Sequence, residues 1–122
     1  MKTFDLRGVI VEAEDLVDGI LVNPVLPESF DATDNKERPF EHAVWWGVPF
    51  VRTHRMETPT QEFLREFPEG TEFELRCLDG GAWDRSTWWG RFPSMTAAAA
   101  FARSKPAYIL DPITVFPPLA SR

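Results

Sequence analysis

Tryptophan and arginine are the residues of this sequence best suited to bind a partner. Two copies of Trp-Trp-Gly, at residues 45–47 and 88–90, contain four of the five tryptophans. Arginines lie near both copies, and a guanidinium beside an exposed indole binds nucleobases, phosphates or protein surfaces. The candidate binding residues are Trp45, Arg52, Arg85, Trp89 and Arg91. For Trp89 and Arg91, an ordinary cation–π pair on a sheet surface is the alternative interpretation.

Carboxylates offer a second kind of chemistry. Asp79 and Asp84 flank a Gly-Gly turn and Trp83, and two carboxylates near an indole can act as acid and base on a sugar. Aspartates in turns more often accept hydrogen bonds from backbone amides, and this interpretation is favoured. Cys77 is the only thiol, and its predicted place on the core face argues against a nucleophile. Because no phosphate-loop, metalloprotease or serine-hydrolase motif occurs, no catalytic residue is assigned and an enzyme is the least favoured class.

Metal binding is not predicted either. Asp31, Thr33 and Asn35 occupy the first three ligand positions of a calcium loop, but the turn glycine and the bidentate glutamate of that loop are missing. His42 and His54 lie at the two ends of a predicted strand, too far apart to share one ion. The sequence therefore predicts neither a metal site nor a cofactor.

Two predicted strand regions carry the tryptophan pairs. Residues 43–52 are apolar on both faces, as in a central strand that is covered on both sides. Residues 71–78 alternate between apolar and charged side chains and are followed by a return strand at 87–92. This pattern predicts an antiparallel hairpin with one polar face.

Strand alternation then assigns each indole to a face. Trp88 is predicted in the core, whereas Trp89 shares its face with charged neighbours and is predicted to be partly exposed. Trp46 is also predicted in the core, and the position of Trp45 is left open because its whole face is apolar. Outside the Trp-Trp-Gly copies the two segments do not match, so chance similarity is favoured over an internal repeat.

The remaining elements complete a small fold. The patterns predict an opening strand at 4–11, a hairpin turn at Asp18-Gly19, a helix capped by Thr58, an alanine-rich helix capped by Ser94, and a last strand within 108–116. We therefore expect a single α+β domain over residues 1–122, with a mainly antiparallel sheet of about five to six strands and two short helices. Residues 27–39 have loop composition and are predicted to form a mobile loop.

Charge and composition indicate the kind of cellular compartment in which the protein works. The net charge is −6, and it is unevenly distributed along the chain: residues 1–37 carry three basic and nine acidic side chains, whereas residues 85–122 carry five basic and one acidic. No apolar run follows Lys2, and no stretch approaches the roughly 20 apolar residues of a membrane helix. A single cysteine suits a reducing compartment. These features predict a soluble, cytoplasmic protein that does not enter membranes.

One part of the chain resembles a known group of sequences. The run from Leu75 to Thr87, then Trp89-Gly90-x-Phe92 and an alanine-rich helix, resembles a segment of short uncharacterised bacterial proteins carried on plasmids and integrative elements. The resemblance covers about residues 73–104. It implies a bacterial, cytoplasmic accessory protein of mobile elements, and it implies no particular activity.

The function that the sequence favours is a non-enzymatic interaction module with a protein partner. The first alternative is a sequence-tolerant single-stranded nucleic-acid-binding protein that uses exposed tryptophan and arginine. The second alternative is an acidic inhibitor that mimics nucleic acid through residues 5–37 and 57–74. The oligomeric state is left open.

Overall fold

The computed structural model describes residues 1–105 and the backbone of residues 113–115. In this part of the chain, eight strands form two sheets and are joined by three short α-helices. The elements are β1 (Lys2–Leu6), β2 (Val9–Ala13), β3 (Asp15–Val17), β4 (Ile20–Val22), α1 (Phe40–Ala43), β5 (Phe50–Arg55), α2 (Gln61–Glu66), β6 (Thr71–Cys77), β7 (Thr87–Phe92), α3 (Met95–Arg103) and β8 (Ile113–Val115). The predicted α+β class with mainly antiparallel sheets is confirmed.

The predicted opening strand is in fact a hairpin. Arg7 and Gly8 both have positive φ, at 51° and 94°, and reverse the chain between β1 and β2. The strand β8 pairs antiparallel with the other edge of β1, which gives a three-stranded sheet of order β2-β1-β8. Alternation alone does not reveal the Arg7-Gly8 turn, because a two-residue turn leaves the period-two pattern unbroken.

The larger sheet has the order β3-β4-β5-β6-β7. The predicted Asp18-Gly19 turn connects β3 and β4, and both of its residues have positive φ. The pair β4–β5 is parallel, whereas the other pairs are antiparallel. The strand β4 ends at Val22 before Pro24, as expected for a residue without a backbone donor.

Two apolar clusters form the core of the fold. Helix α3 begins at Ser94, whose Oγ accepts a hydrogen bond from Ala97 N at 3.1 Å as predicted. Its alanines pack against one face of the larger sheet, over Leu75 and Val51. The second cluster lies between the two sheets and is built around Phe4, Leu6, Leu21, Trp45, Val48, Phe50 and Leu78.

The predicted strand over residues 43–52 is wrong in its first half. Residues up to Ala43 form α1, a turn follows, Gly47 has a φ of 74°, and β5 begins only at Phe50. A positive φ at Gly47 and a proline at position 49 cannot continue a regular ladder. The cap of α2 also differs from the prediction, because Thr60 rather than Thr58 accepts the hydrogen bond from Phe63 N.

Segment 27–39 contains two short 3₁₀ turns, at residues 30–32 and 35–37. Phe30 is buried in the core between the sheets, and Arg38 donates a hydrogen bond to the Phe30 carbonyl at 2.8 Å. The mobility of this loop stays a prediction. Of the predicted last strand, residues 113–115 are present in β8, and residues 108–110 lie outside the described residues.

Candidate functional site

The second Trp-Trp-Gly lies on β7, where a β-bulge reverses the predicted orientation of its indoles. Trp88 pairs with Arg76 and Gly90 pairs with Leu75, so the pairing register between β6 and β7 skips Trp89. The bulge shifts the alternation by one position, and Gly90 accepts the φ of 153° that this requires. Trp88 is therefore on the polar face of the sheet and 53% exposed.

Trp89 instead turns toward helix α3. Its ring lies 6.4 Å from the ring of Phe101 in an edge-to-face arrangement, and it packs against the cluster beneath the helix. The prediction that Trp88 is a core residue is wrong. Trp89 is half-buried, in agreement with its predicted partial exposure, but it lies on the helix side of the sheet and not on the face of Glu72, Glu74 and Arg76. Both face assignments assumed an unbroken period of two along a strand that contains a bulge.

The first Trp-Trp-Gly lies in the turn after α1 and also differs from the prediction. Trp45 is fully buried, with ring centroids 5.5 Å from Phe50 and 6.1 Å from Phe30. Trp46 was predicted in the core but is 45% exposed. The backbone N–H of each tryptophan donates to a carbonyl three residues back, so this segment has helical turn geometry in which strand alternation does not apply.

Three exposed indoles surround the loop that connects β6 to β7. Trp83, in the loop, is 64% exposed, and Trp88 follows directly after it. Trp46 lies against the start of the same loop, because a Cβ added to Gly80 would lie 3.0 Å from Trp46 Cη2. We call Trp46, Trp83 and Trp88 the tryptophan surface. A side chain at position 80 would require the Trp46 indole to shift by a few tenths of an ångström, and the φ of 82° at Gly80 also favours glycine there.

Asp79 fixes the start of the loop. Its carboxylate accepts hydrogen bonds from Gly81 N at 2.9 Å, Thr87 Oγ1 at 2.5 Å and Trp89 Nε1 at 3.0 Å. Partial burial raises the pKa of Asp79, but these hydrogen bonds outweigh it and leave the pKa below its ordinary value. The interpretation of Asp79 as a turn residue is supported, since its carboxylate oxygens are engaged in holding the loop to β7.

The end of the loop is held by a segment distant in sequence. Asp31 Oδ1 accepts a hydrogen bond from Ser86 N at 2.8 Å, and Asn35 Nδ2 donates to the Ala82 carbonyl at 2.8 Å. Two of the three residues that resemble a calcium loop, Asp31 and Asn35, therefore serve as hydrogen-bond partners of the tryptophan-bearing loop. No cluster of three or more metal-ligating side chains occurs within the described residues.

Each of the three candidate arginines is paired with a carboxylate. Arg52 contacts Asp31 at 3.3 Å, and Arg85 contacts Asp84 at 2.8 Å. Arg91 bridges two glutamates, Glu72 at 3.0 Å and Glu66 at 3.3 Å.

The interpretation of Arg91 and Trp89 as a cation–π pair requires correction. Trp89 lies on the helix side of the sheet, whereas Arg91 pairs with Glu74 on the polar side. The Arg91 guanidinium lies over Phe67, with its carbon 5.3 Å from the ring centroid. The cation over Trp89 is Lys105, whose Nζ is 4.7 Å from the ring centroid. The bulge separates the two residues that the sequence places side by side.

The polar face of the sheet is a network of paired charges. Glu74 lies between His54, at 3.0 Å, and Arg76, at 3.1 Å, and Arg76 also donates to Ser86 Oγ at 2.8 Å. Burial raises the pKa of Glu74, but the hydrogen bonds from His54 and Arg76 have the larger combined effect. The pKa of Glu74 is therefore below its ordinary value. Arg76, the cross-strand neighbour of Trp88, thus connects Glu74 on the polar face to Ser86 at the end of the β6–β7 loop.

Cys77 is buried on the helix side, as predicted. Burial raises the pKa of its thiol to about 12, so the reactive thiolate is scarcely populated at neutral pH. These features agree with the argument against Cys77 as a nucleophile.

Of the five candidate binding residues, only Arg85 lies on the loop that carries exposed tryptophan. Trp45 and Trp89 are turned inward. The exposed indoles are instead those of Trp46, Trp83 and Trp88. The glycine directly after each Trp-Trp pair was the available signal, because glycine inside a strand often marks a bulge or bend.

No protein-family model matches the sequence, and the comparisons found no similar curated protein or solved structure. In the part of the chain that the structure describes, no helix is both long enough and apolar enough to cross a membrane.

Quenching of single-tryptophan variants by acrylamide should follow the observed exposure. Variants that keep only Trp46, Trp83 or Trp88 should be quenched readily, the variant that keeps only Trp45 should be protected, and the variant that keeps only the half-buried Trp89 should lie between them, because the quencher needs contact with the indole. Stern–Volmer slopes measured in native buffer and in urea check this order. Equal protection of Trp88 and Trp89 would contradict the bulge.

Proposed function

We propose that this protein is a non-enzymatic protein-interaction module and that the tryptophan surface is its contact surface. The observation that carries the proposal is the exposure of three of the five indoles around one loop. Tryptophan is a residue that folding normally buries, and exposed apolar patches with a polar rim mark interaction sites. Tryptophan is also the residue type most enriched among interface hot spots.

The surroundings of the tryptophan surface suit a protein partner. Lys36 lies over the Trp83 ring with its Nζ 5.7 Å from the centroid, and the Arg85–Asp84 pair lies at the adjacent edge. Apolar anchors inside a rim of mixed charge are the usual anatomy of a protein interface. The bonds made by Asp79 and Asp31 hold the loop in one conformation, which lowers the entropy lost on binding.

The second candidate function is binding of single-stranded nucleic acid. It is favoured by the exposure of Trp83 and Trp88 next to Arg85, because bases stack on exposed indoles. It is opposed by the carboxylate partners of Arg52, Arg85 and Arg91 and by the net charge of −6. A phosphate would have to displace these partners against the long-range field of the protein. The acidic-mimic alternative is opposed by the pairing of Asp31, Glu72 and Glu74 with cations.

A labelled oligothymidine, titrated with the protein and followed by fluorescence anisotropy, separates the two candidates. We expect no complex at physiological salt, because the arginines near the indoles are neutralised. The contrary result is a complex that weakens as salt rises and loses about 1–3 kcal/mol of binding free energy in Trp88→Ala, as expected for one stacked base. The control variant is Leu64→Ala, which removes an exposed apolar side chain from α2 and leaves the loop and its hydrogen bonds unchanged.

We further propose that the module acts in the bacterial cytoplasm as an accessory protein of a mobile element. This part of the proposal rests on the resemblance of residues 73–104 and on the single, buried cysteine. Cell fractionation with an antibody against the chain tests the location.

A further inference from the structure

Residues 30–42 hold the loop that carries Trp83, and we call them the supporting segment. The backbone N–H of Asn35 donates a hydrogen bond to the Trp83 carbonyl at 3.2 Å. Further along the loop, Asp31 Oδ1 accepts a hydrogen bond from Ser86 N at 2.8 Å. The conformation of the loop therefore depends on the position of the supporting segment.

Arg38 fixes Asn35 within the supporting segment. Its Nε donates to Asn35 Oδ1 at 2.8 Å, and its Nη1 donates to the Phe30 carbonyl at 2.8 Å. The guanidinium carbon also lies 5.2 Å from the centroid of the Phe30 ring. Its Nη2, however, is buried without a hydrogen-bond partner among the described residues, and a buried donor without an acceptor is costly. Arg38 is thus held by a polar network that is only partly satisfied.

His42 packs against the same phenylalanine. It is 5% exposed, and its ring centroid lies 5.7 Å from that of Phe30. Its Nδ1 is buried and has no hydrogen-bond partner in the part of the chain that the structure describes. A neutral imidazole fits this position better than an imidazolium, because the imidazolium would place a second cation against the ring that Arg38 already covers.

Two charged groups act on His42. Arg38 disfavours its protonation, whereas Glu41, which is exposed on α1, favours it. Burial is the largest cause of the shift, and together with Arg38 it holds the pKa of His42 below its ordinary value of 6.5. The unfolded chain therefore binds a proton at His42 more readily than the folded protein does. The stability of this packing is complete well above the ordinary pKa and falls as the pH drops toward the lower folded pKa.

We propose that His42 is an acid-sensitive switch for the tryptophan surface: when its imidazole gains a proton, the supporting segment leaves its place and Asn35 and Asp31 release the loop. The loop then loses the bonds that hold Trp83 in one conformation, which raises the entropy lost on binding a partner. The protein interaction should accordingly weaken in acid, a consequence that rests on the proposed function. The change in the loop itself needs no partner and follows from the packing around Phe30.

Hydrogen exchange of the isolated chain, measured by NMR from about pH 7.5 to about pH 5, tests this inference without a partner. The reporters are the Ser86 amide, which donates to Asp31, and the Asn35 amide, which donates to the Trp83 carbonyl. Their protection factors, which correct for the pH dependence of intrinsic exchange, should fall by roughly 5- to 30-fold. The Leu75 amide, in the core of the larger sheet, should keep its protection.

Two matched variants assign the effect to one histidine. His42→Phe keeps a ring against Phe30 but cannot gain a proton, so the protection of the loop should no longer change with pH. His54→Gln removes the only other histidine, which is exposed and pairs with Glu74, and should retain the full fall.

A titration of His42 in the unchanged chain needs no variant to fold. The NMR signals of its imidazole should titrate with a midpoint below 6.5, as its lowered pKa requires. The protection of the loop should level off below that midpoint, because the folded and unfolded states then both carry the proton.

Three results would overturn the inference. They are constant protection of Ser86 and Asn35 across this pH range, an equal fall in His42→Phe, and a His42 midpoint at or above 6.5. Failure of the proposed function is a separate result: if a crosslinker at position 83 captured no protein at neutral pH while the loop still responded to acid, the interaction would be wrong and the pH response would stand.

Discussion

Replacing Trp45 with alanine is expected to lower the free energy of unfolding by about 3–5 kcal/mol, the usual cost of deleting a fully buried aromatic side chain. Trp45 is 0% exposed and packs edge-to-face against Phe50 and Phe30 in the cluster between the two sheets. Its removal would leave a cavity where both sheets meet. Urea unfolding followed by far-UV circular dichroism measures the change.

The neighbouring residue provides the matched control. Trp46→Ala removes the same side chain one position along, but from a half-exposed site against the loop. We expect a loss below about 1 kcal/mol, as for most surface substitutions. If the two variants lost stability equally, or if Trp46→Ala lost more, the assignment of Trp45 to the core would be wrong.

Replacing Asp79 with alanine is expected to cost about 1–3 kcal/mol of folding free energy, a range that already allows for its partial exposure. The substitution removes the acceptor of three hydrogen bonds and leaves the Trp89 indole N–H and the Thr87 hydroxyl to find water. It should also loosen the loop that carries Trp83. Urea unfolding at pH 7 measures the first effect, and hydrogen exchange of the loop amides measures the second.

The pH dependence of this variant gives an internal check. The pKa of Asp79 is lowered from 3.8 in the folded protein, so its contribution is complete above that value and is lost as the pH falls through the lower folded pKa. The stabilities of the wild type and of Asp79→Ala should therefore converge in acid. Asp84→Ala, in the same loop, should change stability and its pH dependence much less than Asp79→Ala, because the exposed Arg85 is the main cause of the lowered pKa of Asp84 and solvent screens that pair.

Local sequence signals predicted the elements that local chemistry determines. The Asp18-Gly19 turn, the Ser94 cap and the alternation over Thr71–Cys77 each specify their structure within a few residues, and all three are confirmed. The α+β class follows from the same signals. Each depends on backbone geometry or on a single buried face, which neighbouring residues are sufficient to define.

The candidate site could not be predicted because it depends on a β-bulge and on long-range hydrogen bonds. The alternation of apolar and polar residues along a strand reveals neither of them. A one-residue shift of register in β7 exchanges the faces of Trp88 and Trp89, and Gly90 was the local sign of it. The hydrogen bond from Ser86 N to Asp31 joins residues 55 positions apart, a distance over which no pattern connects them. Exposure of the indoles is thus a property of the assembled fold rather than of the strand sequence.

Site-specific photo-crosslinking in cells that carry the gene tests most directly whether the tryptophan surface is a contact surface. A benzophenone side chain is placed at position 83 or 88, or, as the matched control, at Leu64, which is exposed on α2. We predict that positions 83 and 88 give one protein adduct of the same mass, that Leu64 does not give it, and that Trp46→Ala weakens it. An adduct formed equally well from Leu64, or none from positions 83 and 88, would contradict the proposed interaction module.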